Sequence, residues 1–257
     1  MLSPEEIQSN LLKFYELIEN HISEPRTTQL LGLYQSQEEN LALAPASSRT
    51  AYHNAFPGGY VDHVIRVVEV ALTLCDVWEK FGADMSTFTK EELVFAALNH
   101  DLGKLGYNGK PMYIPNDSEW HIKNQGAVYK PNTESPFMLV QDASLYVLQQ
   151  AGIVVSFNEY LAIKVHDGLY DDSNKAYYIS NQNESKLRSC MPMILHQADI
   201  IAARTEWERE WSGKLGQAKP KEAKPSSPTQ YKQQAEAKKL STIGTKNPGL
   251  INALKGL

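Results

Sequence analysis

The stretch Asn99-His100-Asp101-Leu102-Gly103-Lys104 decides how the rest of this 257-residue sequence is interpreted. It follows a capping box, Thr89-Lys90-Glu91-Glu92, and an apolar run over residues 93–98, so the sequence predicts a helix closed by Gly103. Adjacent His and Asp side chains point about 100° apart on a helix, so they share one metal ion only from a helix end that faces a pocket. Imidazole and carboxylate together suit Mn²⁺, Fe²⁺, Mg²⁺ or Zn²⁺.

Three further ionisable side chains lie in other predicted helices. His63 is near the start of a helix predicted over residues 60–81, and His166 closes a later one. Asp199 lies in a helix predicted over residues 190–211, where an unpaired charge among apolar neighbours is costly. Helix ends and interiors that converge from four segments can build a metal site inside a bundle. The alternative is a purely structural cluster of satisfied core histidines.

The hydrophobic periodicity and the capping boxes predict an all-α fold. Strand signals are confined to residues 112–114 and 177–180, and residues 23–50 are expected to be irregular apart from a helical stretch at residues 30–34. We expect three parts: an N-terminal helical extension over residues 1–50, a helical domain over residues 51–212, and a basic, disordered tail over residues 213–257.

Composition and charge narrow the class of protein. The net charge is −5, but residues 212–257 hold nine lysines and two acids, so a tail of +7 follows a body of −12. Such a tail suits weak contact with nucleic acid, although a solvated tail without a partner is the alternative. The sequence predicts no membrane span and no secretory leader, and its two cysteines form no metal or disulfide pattern. We therefore expect a cytoplasmic protein, whose oligomeric state the sequence does not indicate.

The order His63, His100-Asp101, His166, Asp199 resembles the HD-domain metal-dependent phosphohydrolase superfamily over about residues 50–205. Two flanking segments are similar to those of bacterial HD-type 3′→5′ exoribonucleases. The first runs from His53 through Gly58-Gly59 to His63, and the second is Leu195-His196-Gln197-Ala198-Asp199. Where those enzymes carry His-His-Gly, this chain has His166-Asp167-Gly168. The long aromatic loop and the lysine-rich tail are typical of tailed-phage accessory proteins, which would place the chain in a host cytoplasm.

The resemblance implies an HD-domain helical bundle with long loops over the metal site. It implies one or two divalent ions, drawn from Mn²⁺, Mg²⁺, Fe²⁺, Co²⁺ and Zn²⁺. The ligands of the first ion would be His63, His100, Asp101 and Asp199. Asp101 would bridge to a second ion if His121 and His166 complete that site.

The implied activity is hydrolysis of a phosphomonoester or phosphodiester of a nucleotide or short oligonucleotide by a metal-activated water. Besides Asp101, the catalytic residues would be Lys104, which can meet a phosphate oxygen, and His53, which can contact phosphate or protonate the leaving oxygen. The alternatives are a di-iron oxygenase, since some HD-fold proteins oxidise their substrates, and a metal-stabilised nucleotide-binding module without turnover.

The loop over residues 103–141 is longer than connection statistics favour. It mixes aromatic rings with cations, a combination that suits a nucleobase and a phosphate. The candidate substrate-binding residues in this loop are Tyr107, Trp120, Lys123 and Tyr129, alongside Lys104 and His53. The alternative is that the rings only fasten a long loop to the core.

Cutting the chain after Gly213 should leave the melting temperature almost unchanged, because it removes nine lysines and little apolar area. If the tail contacts nucleic acid, affinity for long oligonucleotides should fall and its salt dependence should flatten. Thermal unfolding and filter binding at two salt concentrations check both outcomes. A large drop in melting temperature would show instead that the tail packs on the body.

Overall fold

Helices make up most of the chain in the computed structural model, which describes residues 1–180 and 182–211. Over these residues the α-helices are α1 Pro4–His21, α2 Arg26–Gln35, α3 Glu38–Leu43, α4 Gly59–Lys80, α5 Lys90–Asn99, α6 Glu119–Gln125, α7 Val140–Gln150, α8 Phe157–Val165, α9 Lys175–Tyr178 and α10 Met191–Trp211. This confirms the all-α prediction. No helix within the described ranges is both long and apolar enough to cross a bilayer. The tail predicted over residues 213–257 lies outside the described residues.

Three helices begin at complete capping boxes. Ser3, Thr89 and Ser156 each accept a hydrogen bond from the backbone N–H three residues later, at the starts of α1, α5 and α8. In each case the side chain of the glutamate at that third position accepts a hydrogen bond from the backbone N–H of the capping residue. Because these bonds are local, the sequence alone locates the three helix starts.

Helix α4 lies at the centre of the hydrophobic core. It packs against α1, α5 and α10 through the apolar face that contains Val64, Val67 and Ala71. The apolar face of α1, which contains Phe14 and Ile18, is buried in the same core. Helices α1, α2 and α3 thus occupy most of the first 50 residues, and their buried side chains share one core with the residues that follow.

Residues 23–50, which we expected to be irregular apart from a helical stretch at residues 30–34, contain two helices: α2 includes that stretch, and α3 was not expected. Neither has a side-chain cap, so the usual sequence signal for a helix start is missing at both. Burial stabilises them instead: Tyr34 is fully buried and its hydroxyl donates a 2.8 Å hydrogen bond to Asn99 Oδ1. The strand signal at residues 177–180 is also wrong, because residues 175–178 form α9.

The long loop over residues 103–141 contains secondary structure of its own. Strands β1 Tyr113–Pro115 and β2 Tyr129–Pro131 pair antiparallel, with Tyr113 opposite Pro131, and α6 lies between them. Backbone bonds fasten this hairpin to the segment before α4: Tyr129 N donates to Ser48 O at 3.0 Å and Thr50 N donates to Gly126 O at 2.9 Å. The short strand signal at residues 112–114 is confirmed to within one residue.

The stretch after Asp101 turns sharply against α7. Residues 102–105 form a 3₁₀ turn in which Gly103 N donates a 2.8 Å hydrogen bond to Ser144 Oγ. The Ser144 hydroxyl also lies 3.0 Å from His100 O. This contact between the turn and α7 fixes the backbone on both sides of the His100-Asp101 pair.

Gly103→Ala should destabilise the protein by about 1–3 kcal/mol, because a Cβ there would lie 2.3 Å from Val140 O and 2.8 Å from Ala143 Cβ. Gly32→Ala is the matched control. Nothing lies within 4 Å of a Cβ at Gly32, which is inside α2. The free energy of unfolding of this variant should therefore rise by up to about 1 kcal/mol. Urea unfolding of both variants measures the difference. Equal free energies of unfolding for the two variants would show that α7 does not limit the space for a side chain at position 103.

Candidate metal centre

Five of the predicted ligands converge in the protein interior. His63 comes from α4, His100 and Asp101 from the end of α5, His166 from the end of α8 and Asp199 from α10. His63 Nε2 lies 3.1 Å from Asp199 Oδ1 and 3.6 Å from Asp101 Oδ2. His100 Nε2 lies 3.4 Å from Asp101 Oδ2, and His166 Nε2 lies 3.7 Å from Asp101 Oδ1. The residues that the sequence spreads over 137 positions thus surround one small volume.

The same local geometry aims two of the histidines at the cluster. His100 and His166 each follow the last residue of a helix, and each Nδ1 lies 2.8 Å from the carbonyl oxygen three residues earlier. A carbonyl oxygen only accepts, so Nδ1 donates and Nε2 faces the carboxylates. Metal-ligating histidines are oriented in this way. The carbonyl of His166 is itself held, because His196 Nδ1 donates to it at 2.7 Å.

Two ring nitrogens of the cluster are buried without an aligned hydrogen-bond partner: His63 Nε2 and His100 Nε2. An unsatisfied buried polar atom is costly, and a cation at this point would satisfy both. The ligand atoms of His63, His100 and Asp199 lie within 4.8 Å of one another, as do those of His100, Asp101 and His166. The residues present therefore fit a bound divalent ion, and His100 belongs to both groups.

The two aspartates stay ionised despite their burial. Burial alone would raise the pKa of Asp101, but Lys104 and the nearby imidazoles hold it well below its ordinary value. Burial acts the same way on Asp199, and His63 outweighs it and lowers the pKa. Burial alone would lower the pKa of His63, but Glu206 and Asp199 raise it to about 10.

Lys104 lies directly against the cluster. Its ammonium group donates to Asp101 Oδ2, and the side chain retains only 14% of its exposure. Burial alone would lower the pKa of Lys104, but Asp101 outweighs it and keeps the lysine charged. Burial raises the pKa of the Tyr113 hydroxyl on strand β1.

A buried carboxylate that our sequence reasoning missed lies behind His63. Glu206 Oε2 accepts from His63 Nδ1 at 3.1 Å and from His53 Nδ1 at 2.9 Å, while Arg66 Nε donates to Oε1 at 3.0 Å. The side chain of Glu206 is fully buried. The available signal was the spacing: Glu206 follows Asp199 by seven residues, which places both on one face of α10.

The prediction that His121 completes a second metal site does not agree with the structure. His121 lies on the exposed helix α6, where its Nδ1 is 2.6 Å from Ser118 Oγ and its ring contacts Trp120. It belongs to none of the ligand groups found among the described residues. That prediction came with the family resemblance, and the hairpin fold directs this residue to the surface.

The candidate substrate-binding residues are spread over the hairpin rather than gathered at the cluster. Trp120 is 60% exposed on α6, Lys123 is also exposed on that helix, and Tyr129 is half-buried on β2. Tyr107 packs edge-on against Tyr146 and lines a separate cavity of about 890 Å³ beside α2, α3 and α7. None of the cluster residues lines that cavity. His53 and Lys104 alone among these candidates touch the cluster residues or their partners.

Comparison with models of protein families, with curated proteins and with solved structures finds no match for this chain. The fold and the site define its class directly. It is an all-α protein with a buried group of histidine and carboxylate side chains that could hold a metal ion.

Asp101→Asn should weaken Mn²⁺ binding by at least about 100-fold, because it removes the one carboxylate that faces three imidazoles. Asp142→Asn is the matched control, since Asp142 also pairs with a lysine, Lys164 at 2.6 Å, away from the cluster. Titration calorimetry measures the affinity, and circular dichroism checks that both variants remain helical. Unchanged affinity in Asp101→Asn would show that Asp101 is not a ligand.

Proposed function

We propose that this protein is a metal-dependent phosphohydrolase of the HD-domain type that cleaves a phosphoester of a nucleotide or short oligonucleotide. The observation that carries the proposal is the meeting of His63, His100, Asp101 and Asp199 at one buried point with Lys104 against it. A site that cleaves phosphoesters needs oxygen and nitrogen ligands for a hard cation and a fixed positive charge for the phosphoryl oxygens. The cluster provides both.

The ligand atoms indicate which residues would hold which ion. His63, His100, Asp101 and Asp199 would hold the first ion, and His166 would hold a second one with the other oxygen of Asp101. All of these atoms are imidazole nitrogens or carboxylate oxygens, which suit Mn²⁺, Mg²⁺, Fe²⁺, Co²⁺ or Zn²⁺. A divalent ion bound there supplies an activated water and neutralises charge on the phosphoryl oxygens.

Two side chains of the chain itself would act on the substrate. Lys104 is charged and already lies at the cluster, so it would bind a non-bridging phosphate oxygen once an ion takes over its partner Asp101. His53 retains 15% of its exposure, and its ring centre lies 4.6 Å from that of His63. It would contact the phosphate or, once Nε2 is also protonated, donate that proton to the leaving oxygen as the phosphorus–oxygen bond breaks.

The hairpin supports a nucleotide as the substrate. Tyr113, a half-buried ring on β1 of the hairpin, is a candidate for stacking on a base whose phosphate is at the cluster. Trp120 and Lys123 are exposed on α6, and Tyr129 is half-buried on β2. One continuous segment of the chain would then bind the phosphate through Lys104 and stack on the base through a ring of the hairpin.

The purified protein, incubated with a panel of nucleotides and short oligonucleotides and with Mn²⁺, Mg²⁺ or Co²⁺, tests the proposal when products are separated by chromatography. We expect phosphate or nucleotide release that is equal with and without dioxygen, stops with a chelator and is absent in Asp101→Asn. Products that require dioxygen would identify an oxygenase instead. Binding measured by calorimetry without any product would identify a nucleotide-binding module.

Lys104→Met should keep the bound metal but lower kcat/KM for the cleaved nucleotide by roughly 100-fold, because the charge that meets the phosphoryl oxygens is removed. Lys164→Met removes a lysine from the ion pair with Asp142 at the surface and serves as the control with unchanged kcat/KM. Metal content and steady-state kinetics are measured on the same preparations. Loss of metal in Lys104→Met would assign Lys104 to the structure of the cluster instead.

A further inference from the structure

The carboxylate of Glu206 lies behind the cluster and joins three side chains through its two oxygens. Oε2 accepts from both imidazoles, His63 Nδ1 at 3.1 Å and His53 Nδ1 at 2.9 Å. Oε1 accepts from Arg66 Nε at 3.0 Å, and Arg66 is held in turn by Asp62 at 3.0 Å. The side chains of Glu206 and His63 are fully buried, so water does not compete for these contacts.

These contacts define the orientation of the His63 ring. Oε1 of Glu206 accepts from the Arg66 guanidinium, which only donates, so the carboxylate is the acceptor toward both imidazoles as well. Nδ1 of His63 is therefore the donor. Its other nitrogen, Nε2, then faces Asp199 at 3.1 Å and Asp101 at 3.6 Å, on the side where an ion would bind.

A second metal ion among His53, His63 and Glu206 is the competing interpretation, because their ligand atoms lie within 4.8 Å of one another. Arg66 argues against it. The guanidinium already contributes a positive charge to Glu206 at 3.0 Å, so a divalent cation there would meet repulsion without a second carboxylate in the group. The hydrogen-bonded arrangement needs no ion and satisfies every partner of Glu206.

We propose that Glu206 is the positioning residue of this metal centre: it holds Nδ1 of His63 so that Nε2 is presented to the ion, and it holds the ring of His53 beside it. The proposal rests on the metal site of the proposed function but not on the reaction. Carboxylates that accept from the remote nitrogen of a ligating histidine commonly raise metal affinity 10- to 100-fold. His100 and His166 use backbone carbonyls for the same purpose.

Glu206→Gln should weaken Mn²⁺ binding by about 10- to 100-fold, and Glu206→Ala should weaken it further, because glutamine keeps a neutral acceptor and alanine keeps none. Glu208→Gln is the matched control. It makes the same change two residues along α10, where Glu208 pairs with Arg204 on an exposed surface, and it should bind Mn²⁺ as the wild type does. Calorimetric titration of the metal-free proteins gives the affinities.

Nitrogen-15 NMR of the metal-free protein gives a readout that a merely structural role would not move. The wild type should show an exchange-protected Nδ1–H signal for His63, assigned with His63→Gln, and this signal should be lost in Glu206→Ala. If Glu206→Ala does not fold, the wild-type signal and Glu206→Gln carry the test. Wild-type Mn²⁺ affinity in a folded Glu206→Gln, or an unprotected His63 signal in the wild type, would overturn the proposal.

The two proposals fail in different ways. A wild-type protein that binds Mn²⁺ through His63 but hydrolyses no phosphoester overturns the proposed function and leaves the role of Glu206 standing. A wild-type protein that binds no divalent ion overturns both. A Glu206→Gln variant that loses activity with unchanged Mn²⁺ affinity overturns the positioning role at His63 alone.

Discussion

The burial of three carboxylates inside a helical core is the constraint on which this structure depends. Asp101 and Glu206 are almost or fully inaccessible, and Asp199 retains about a fifth of its exposure. A buried charge that lacks a partner costs several kcal/mol, so each carboxylate requires a cation or several donors close by. Lys104 and His63 provide these for the aspartates, and Arg66 with two imidazoles provides them for Glu206. The packing of α4 against α5 and α10 brings these charges together, so the core and the site form at once.

Backbone geometry rather than side-chain packing sets the accuracy of the site. His100 and His166 follow the ends of two helices that begin at capping boxes, and each ring is held by the carbonyl three residues earlier. The same carbonyl contact thus orients two imidazoles, one toward each carboxylate oxygen of Asp101. Gly103 then allows the chain to turn tightly against α7, where its N–H is bonded by Ser144. Because these contacts are short in sequence or made to the main chain, the rings are fixed before any ligand arrives.

The sequence predicts those parts of the fold that depend on local contacts. The capping residues and the apolar period predict α1, α5 and α8, and the resemblance to the HD-domain superfamily implies that His63, the His100-Asp101 pair and Asp199 meet. The ends of α2 and the whole of α3 escape prediction because tertiary burial, not capping, stabilises them. Glu206 escapes because its role depends on contacts to His63 and His53, 143 and 153 residues away. The position of His121 on the exposed helix α6 escapes because the sequence pattern does not show which way a hairpin turns its residues.

The hairpin over the long loop is attached to the body in a way that bears on how this protein can diverge. Its paired strands hold α6 between them, and the whole unit is fastened by main-chain bonds from Tyr129 to Ser48 and from Thr50 to Gly126. Main-chain bonds do not depend on side-chain identity. The outward-facing positions of α6 can therefore accumulate substitutions while the buried cluster of histidine and carboxylate side chains is inherited unchanged. Selection can then act on this exposed surface and on the buried cluster separately.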